Sequence, residues 1–490
     1  MTNLGNRNSI IRAALFLILI YLFYLYISVG ISPIDISLMK KVLLLSMLGW
    51  LFYIYKEEPI STLKNQYLTV SVIFLIGFLP TCFQYYFMYV FDIVPDLSLG
   101  YYLNTNVVNK SIILSSIGVI SYFIGNLHRM KSYVIVNDTN KQPPIRLNSK
   151  KIQMCSVIFF IIYFLAMPKE YFRGNYGNQD LGASVPFFAD FAQQFFVYFV
   201  ISSIAIESYK IRKECVKVSV INYCKKFNVI FLITLFLYTV LILMSGDRDH
   251  IIYTTGLFII AYFISNRIQL GLKKVVLFGV PIVLVMFVMG LLRNVDFNAS
   301  TQEKVEAAVE ISDNMNIAVG FAVTNEFALV VRAQHAIIMH VEHYGHQFLT
   351  LLYEFAGLIP GMGMVFTTVL GVTQDDIGST RIATAEMGSD HGMGTTCIGD
   401  LYLSLGVIGV ALFMFFLGYL FRLLESNIYR NTETIGHWVF YITLLGFAVL
   451  IGRADMMTAF RQCFYVYIIT FLFNTSSFMS KKKGSNCYVV

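Results

Sequence analysis

Apolar residues in this chain gather into long runs separated by short polar gaps. A helix crossing a hydrocarbon core of about 30 Å needs roughly 20 mostly apolar residues. Runs of that kind lie near residues 10–29, 36–55, 67–90, 107–126, 152–168, 186–207, 228–245, 250–266, 275–292, 399–421, 437–452 and 457–475. The pattern predicts an all-α, polytopic integral membrane protein with about twelve transmembrane helices. The first run, Ile10 to Val29, is longer than a signal-peptide core and lacks a small-x-small cleavage site, so it is expected to remain as a helix.

Residues 294–398 break the rhythm of short connections and predict one large loop. Apolar stretches at 318–331 and 348–372 argue against disorder there. The second, FLTLLYEFAGLIPGMGMVFTTVLGV, is interrupted by Pro360 among Gly357, Gly361 and Gly363. A further span would also put the basic tail on the wrong side. Short amphipathic or re-entrant helices at the outer leaflet are expected instead, since irregular backbone at membrane depth needs protein or a cavity around it. The chain thus divides into 1–293 (spans one to nine), 294–398 (the loop) and 399–490 (spans ten to twelve and a tail).

Composition supports this layout. Hydrophobic residues reach 57% and charged residues only 13%, against roughly 45–50% and about 25% in soluble domains. So few charges would not cover the surface of a soluble enzyme. Disorder, collagen-like repeats and coiled coils are excluded as well. The net charge of +7 resides mainly in gaps on one side, such as Lys150, Lys151, Lys210, Arg212, Lys213, Lys225 and Lys226. That is the positive-inside pattern, with both termini cytoplasmic and the large loop outside. No basic stripe with interleaved aromatics points to nucleic acid. The seven cysteines are scattered without a C-x-x-C pair, so neither a disulfide framework nor a zinc site is expected.

Charge near the bilayer is expensive and therefore informative. At the outer ends of late spans stand Arg248 in MSGDRDH, Arg293 in GLLRNVD, Arg453 in IGRADMM and Arg461 in TAFRQC. They read either as snorkelling anchors or as an outward-facing anion site; anchors should concentrate on the other face, which favours the site. Guanidinium groups fork onto phosphate oxygens and can neutralise a diphosphate without a metal. Asp247, Asp249 and Asp455 stand beside them, either to hold the arginines or simply exposed in turns.

His335, His340, His343 and His346 crowd the loop. His340 and His343 would share a helix face, with Glu342 and Glu354 as conceivable further ligands, but HAIIMHVEHYGH matches no metalloenzyme pattern. No metal and no cofactor are expected. His391 stands in EMGSDHGMGTTCIGD, a Gly-rich lead into the tenth span, with Thr395 and Thr396 as helix caps and Asp390 or Asp400 to orient the imidazole. A capping loop with an incidental histidine is the alternative.

SGDR after the seventh span, the late outer loop and GTTCIGDLYLSLGVIGVALFMFFLGYL together resemble the Wzy-type O-antigen or oligosaccharide repeat-unit polymerases of bacterial inner membranes. In the last segment a small polar lead-in, an acidic residue (Asp400), an aromatic (Tyr402) and a Gly-punctuated helix follow the family's order. LLYEFAGLIPGM resembles the family's Ile-Pro loop segment, without the basic residues often found after it. The resemblance implies a GT-C-type glycosyltransferase joining undecaprenyl-pyrophosphate-linked oligosaccharides at the periplasmic face of the inner membrane, for O-antigen or a related surface polysaccharide. Membrane lipid, a Wzz-type chain-length regulator and a Wzx-type flippase are the implied partners. An O-antigen ligase on a similar scaffold and a lipid-linked oligosaccharide flippase or transporter are the alternatives, though no internal repeat favours a transporter. The expected site comprises His391, Arg248 and Arg453 as catalytic residues. Arg293, Arg461, Asp247, Asp390, Asp400 and Tyr402 are expected to bind substrate.

Overall fold

The computed structural model describes residues 4–56, 67–93, 105–128, 147–169, 171–173, 186–214, 217–245, 249–268, 271, 326–389, 392–430 and 433–474. Among these no strand occurs, and the protein is an all-helical, polytopic membrane protein. Eight helices are long and apolar enough to cross a membrane. They are α1 (Leu4–Ser28), α2 (Ile36–Ile54), α3 (Val70–Val90), α4 (Val108–Asn126), α5 (Ser149–Ala166), α6 (Phe187–Glu214), α13 (Cys397–Tyr429) and α14 (Ile435–Arg453). Three shorter apolar helices join them: α7 (Val229–Ser245), α8 (Asp249–Ser265) and α15 (Thr458–Phe473). Together these account for every run read from the sequence except the ninth, 275–292, which lies outside the described residues. Between α8 and α13 the described part of the loop forms α9 (Val331–Tyr344), α10 (Phe348–Ala356), α11 (Met362–Leu370) and α12 (Ser379–Glu386).

Local chemistry sets several boundaries. Asp35, Thr69, Thr396 and Thr434 each accept the backbone N–H three residues on, capping α2, α3, α13 and α14. Pro80 lacks an N–H, and α3 widens there into a π turn over Pro80–Gln84 rather than stopping.

The bundle has two chemically distinct ends. At one end Tyr53 donates to Asn126 (2.9 Å) and the Ser71 amide to Glu425 (2.8 Å). Nearby, Arg212 is buried against Glu433 (3.2 Å). At the other end α9, α10 and α12 pack on α13, and α9 also on α4. Lys110 pairs with Glu342 there, and Tyr26 donates to Tyr402 (3.1 Å).

The central post is α4, nearly all of it buried. Against lipid there is no hydrophobic drive between helices, so small residues and interhelical hydrogen bonds hold them. Gly125 and Gly418 let α4 and α13 approach until a β-carbon on either would overlap the other's backbone. Ser46 on α2 donates to Ser116 on α4 (2.8 Å). The loop is pinned to the same post, because Gln334 on α9 donates to Ser111 (2.8 Å) and Ser115 (3.1 Å), and His335 bonds Tyr86 (2.8 Å).

Candidate functional site

The turn from α14 into α15 gathers Arg453, Asp455 and Arg461. The last residues of α14, Ala448–Arg453, tighten into a 3-10 turn packed on α3, and Arg453 emerges from its end. Its Nη2 lies 3.8 Å from Asp249 at the start of α8, and its guanidinium carbon lies 4.9 Å from the Phe327 ring centroid. Two residues on, Asp455 accepts from the Thr458 hydroxyl (2.6 Å) and faces Arg461 Nη2 at 3.6 Å. The two arginine side chains keep 21% and 28% of their surface, so both guanidinium groups remain reachable.

Beneath this turn lie two carboxyl groups from separate elements. Asp400 sits in the first turn of α13, wholly buried, and its Oδ2 accepts from the Met456 amide at 3.1 Å. Glu354 on α10 is 3% exposed and within hydrogen-bonding reach of Asp400. Burial, and next the Asp400 and Asp455 carboxylates, push Glu354 well above the ordinary carboxyl range; Arg461 pulls partly the other way.

α10 is strapped across this spot at both ends. Gly406 has φ 67°, a conformation that L side chains rarely adopt, and it breaks α13. Carbonyls just before the break turn to the loop: the Gln347 amide donates to Leu403 O (2.8 Å) and His346 Nδ1 to Tyr402 O (2.9 Å). At the other end of α10 the Tyr465 hydroxyl of α15 donates to Gly357 O (2.8 Å). α11 follows the break at Gly357–Gly361, carries no charge and has no buried residue.

The structure brings together Arg453, Arg461, Asp249, Asp455 and Asp400, and places Glu354 with them. Tyr402 lies elsewhere, because two residues along a helix turn the side chain to another face. Its hydroxyl meets Tyr26, and its ring lies 5.8 Å from Lys110 Nζ. Arg248, Asp247, Arg293, Asp390 and His391 lie outside the described residues. The loop histidines are engaged separately: Gln347 Nε2 donates to His340 Nε2 (2.9 Å), leaving Nδ1–H for Glu386 (2.7 Å). Glu342 goes to Lys110 and Glu354 to Asp400, so neither joins His340 as a ligand. Among the described residues no cluster of His, Cys, Asp and Glu is arranged to hold a metal ion.

Comparison with known proteins adds one decisive finding: a family model for the O-antigen polysaccharide polymerase Wzy matches residues 10–483. The chain belongs to the Wzy family. Its role within that family is that of a polysaccharide polymerase of membrane-protein character. No curated protein and no solved structure matches it. In this Wzy protein the contribution of Glu354 was the least visible in sequence. Its one signal is an acid placed four residues after buried Thr350, on the face that α10 turns inward.

Proposed function

We propose that this protein transfers a growing glycan from undecaprenyl pyrophosphate to the non-reducing end of a new lipid-linked repeat unit. The reaction would take place at the periplasmic face of the bacterial inner membrane. The observation that carries this reading is the pair of partly exposed guanidinium groups, Arg453 and Arg461, flanking one turn at the loop end of the bundle. In a low-dielectric site such groups neutralise a diphosphate as it leaves. Arg248 and Arg453 serve the donor diphosphate, with Arg293, Arg461 and Asp247 completing the anion site. His391, oriented by Asp390, takes the proton of the acceptor hydroxyl. That oxygen bonds the anomeric carbon while the bond from carbon to diphosphate oxygen breaks. Tyr402, beside Tyr26 and Lys110, belongs to the acceptor side. The loop end is periplasmic, both termini are cytoplasmic, and the uncharged α11 rests in the outer leaflet. A Wzz-type regulator and a Wzx-type flippase would work beside it.

Gene deletion with gel separation of surface glycan tests the reading. A lost ladder with a single repeat unit retained is the expected result. Loss of all attachment would identify a ligase, and lipid-linked units trapped inside a flippase. Reporter fusions at Lys217 and Gly378 should read cytoplasm and periplasm respectively; the same side for both would overturn the orientation.

A further inference from the structure

Glu354 and Asp400 present a problem that neither the anion site nor the proposed proton acceptor explains. Glu354 Oε2 and Asp400 Oδ1 are both buried, and neither has a conventional donor among the described residues. Two carboxylate anions cannot face each other in a dry site, because like charges at that separation drive one of them to stay protonated. The cation that faces them, Arg461 of α15, makes its ion pair with Asp455 instead. The other groups turned toward the pair supply no positive charge. Asp455 in the turn adds negative charge, Cys397 lies one turn back on α13, and Tyr353 precedes Glu354 on α10. From α12 the Ser379 hydroxyl, 2% exposed, faces Asp400 as a neutral donor, which leaves the proton to Glu354. Asp375 and Asp376, on the short turn before α12, are held by Arg381 and Thr373.

We infer that Glu354 and Asp400 share one proton, and that the resulting acid–carboxylate pair positions the arginine-bearing turn. The pair joins three segments distant in sequence. Glu354 supplies the donor from α10, one Asp400 oxygen receives it, and the other accepts the Met456 amide. Met456 lies between Asp455 and the first turn of α15, so its amide fixes the register of Arg453 on one side and Arg461 on the other. These are positioning residues; both are too deeply enclosed to touch a glycan. The inference rests on the reading of Arg453 and Arg461 as the anion site only for its catalytic consequence. The shared proton itself is independent of what the enzyme makes.

That separation defines the test. Infrared spectra of the full-length purified protein should show a protonated carboxyl band at neutral pH that Glu354→Gln removes and Asp400→Asn shifts or removes. Persistence of the wild-type band in both variants would overturn the pair, whatever the fate of the polymerase reading. Polymerisation by membranes should fall on the alkaline side in the wild type as the shared proton is lost. Glu354→Gln, which keeps a neutral donor, should retain the neutral-pH rate and lose that alkaline fall. Glu354→Ala should lower the rate roughly tenfold to hundredfold across the range, the scale of a displaced catalytic group. A Glu354→Gln variant that inserts yet is as slow as Glu354→Ala, or keeps the wild-type pH profile, would sink the positioning role. Should Glu354→Ala fail to insert, the spectra of the other two variants decide alone.

Discussion

Arg453 and Arg461 are held differently, and that difference sets what substitution does to each. Arg453 leans on Phe327 and looks toward Asp249 from a distance of 3.8 Å. Arg461 faces an acid in its own helix-start turn. Lysine keeps the charge of either but loses the planar fork that matches phosphate. Arg453→Lys and Arg461→Lys should each slow polymerisation about tenfold or more with normal membrane insertion, read as shortened ladders and initial rates. Gly406 makes a second prediction at this scale. A β-carbon there would press on the His346 ring and adopt a positive φ, so Gly406→Ala should cost about 1–2 kcal/mol, seen as a lower melting temperature. The arginines were legible in the sequence because a guanidinium at the end of an apolar run is costly wherever it goes. Glu354 was not, because its partner Asp400 belongs to another element and a single acid beside histidines reads equally well as a ligand.

Among the elements, periodicity and run length located helices well because lipid forces every backbone group to be satisfied within its own segment. Interruptions were less visible. Pro80 lies inside a run that continues through it as a π turn, and Gly406 breaks a run that looks uniform. In both places the missing hydrogen bonds are restored by geometry or by a distant chain, which no local pattern records. The carbonyl of Leu403 shows the dependence most directly, since its donor is the Gln347 amide. Gln347→Pro removes that donor and leaves a carbonyl unsatisfied, at about 1–3 kcal/mol. The expected result is faster proteolysis of the α9–α10 connection, with the spans intact. Unchanged proteolysis would mean that the strap does not hold α10.

At the scale of the whole molecule, a buried histidine makes folding sensitive to acid. His335 is fully buried in α9, with one ring nitrogen bonded to Tyr86 and the other without a partner among the described residues. Burial first, and Arg332 second, lower its pKa from 6.5 to about 3. An unfolded chain therefore binds this proton near 6.5 while the folded one refuses it. The stabilisation is complete above that pH and drains away as the pH falls toward 3. At pH 5 about 2 kcal/mol should be gone. His335→Gln, neutral throughout, should flatten this acid limb of the melting temperature against pH; an unaltered limb would assign it to other groups. Nothing in HAIIMHVEHYGH separates this histidine from its neighbours, since its burial comes from α3 and α4, far away in the chain.

The strap over α10 also has a consequence in time. Its final fastening, Tyr465 to Gly357, joins positions 108 residues apart. Ribosomes add roughly 5–20 residues per second, so α10 and α11 emerge roughly 5–20 s before the last helix that anchors them. Through that interval an apolar hairpin carrying an acid waits without its ceiling. A nascent chain stalled after α14 would therefore carry every arginine of the proposed anion site but Arg461, and still be unable to close over it.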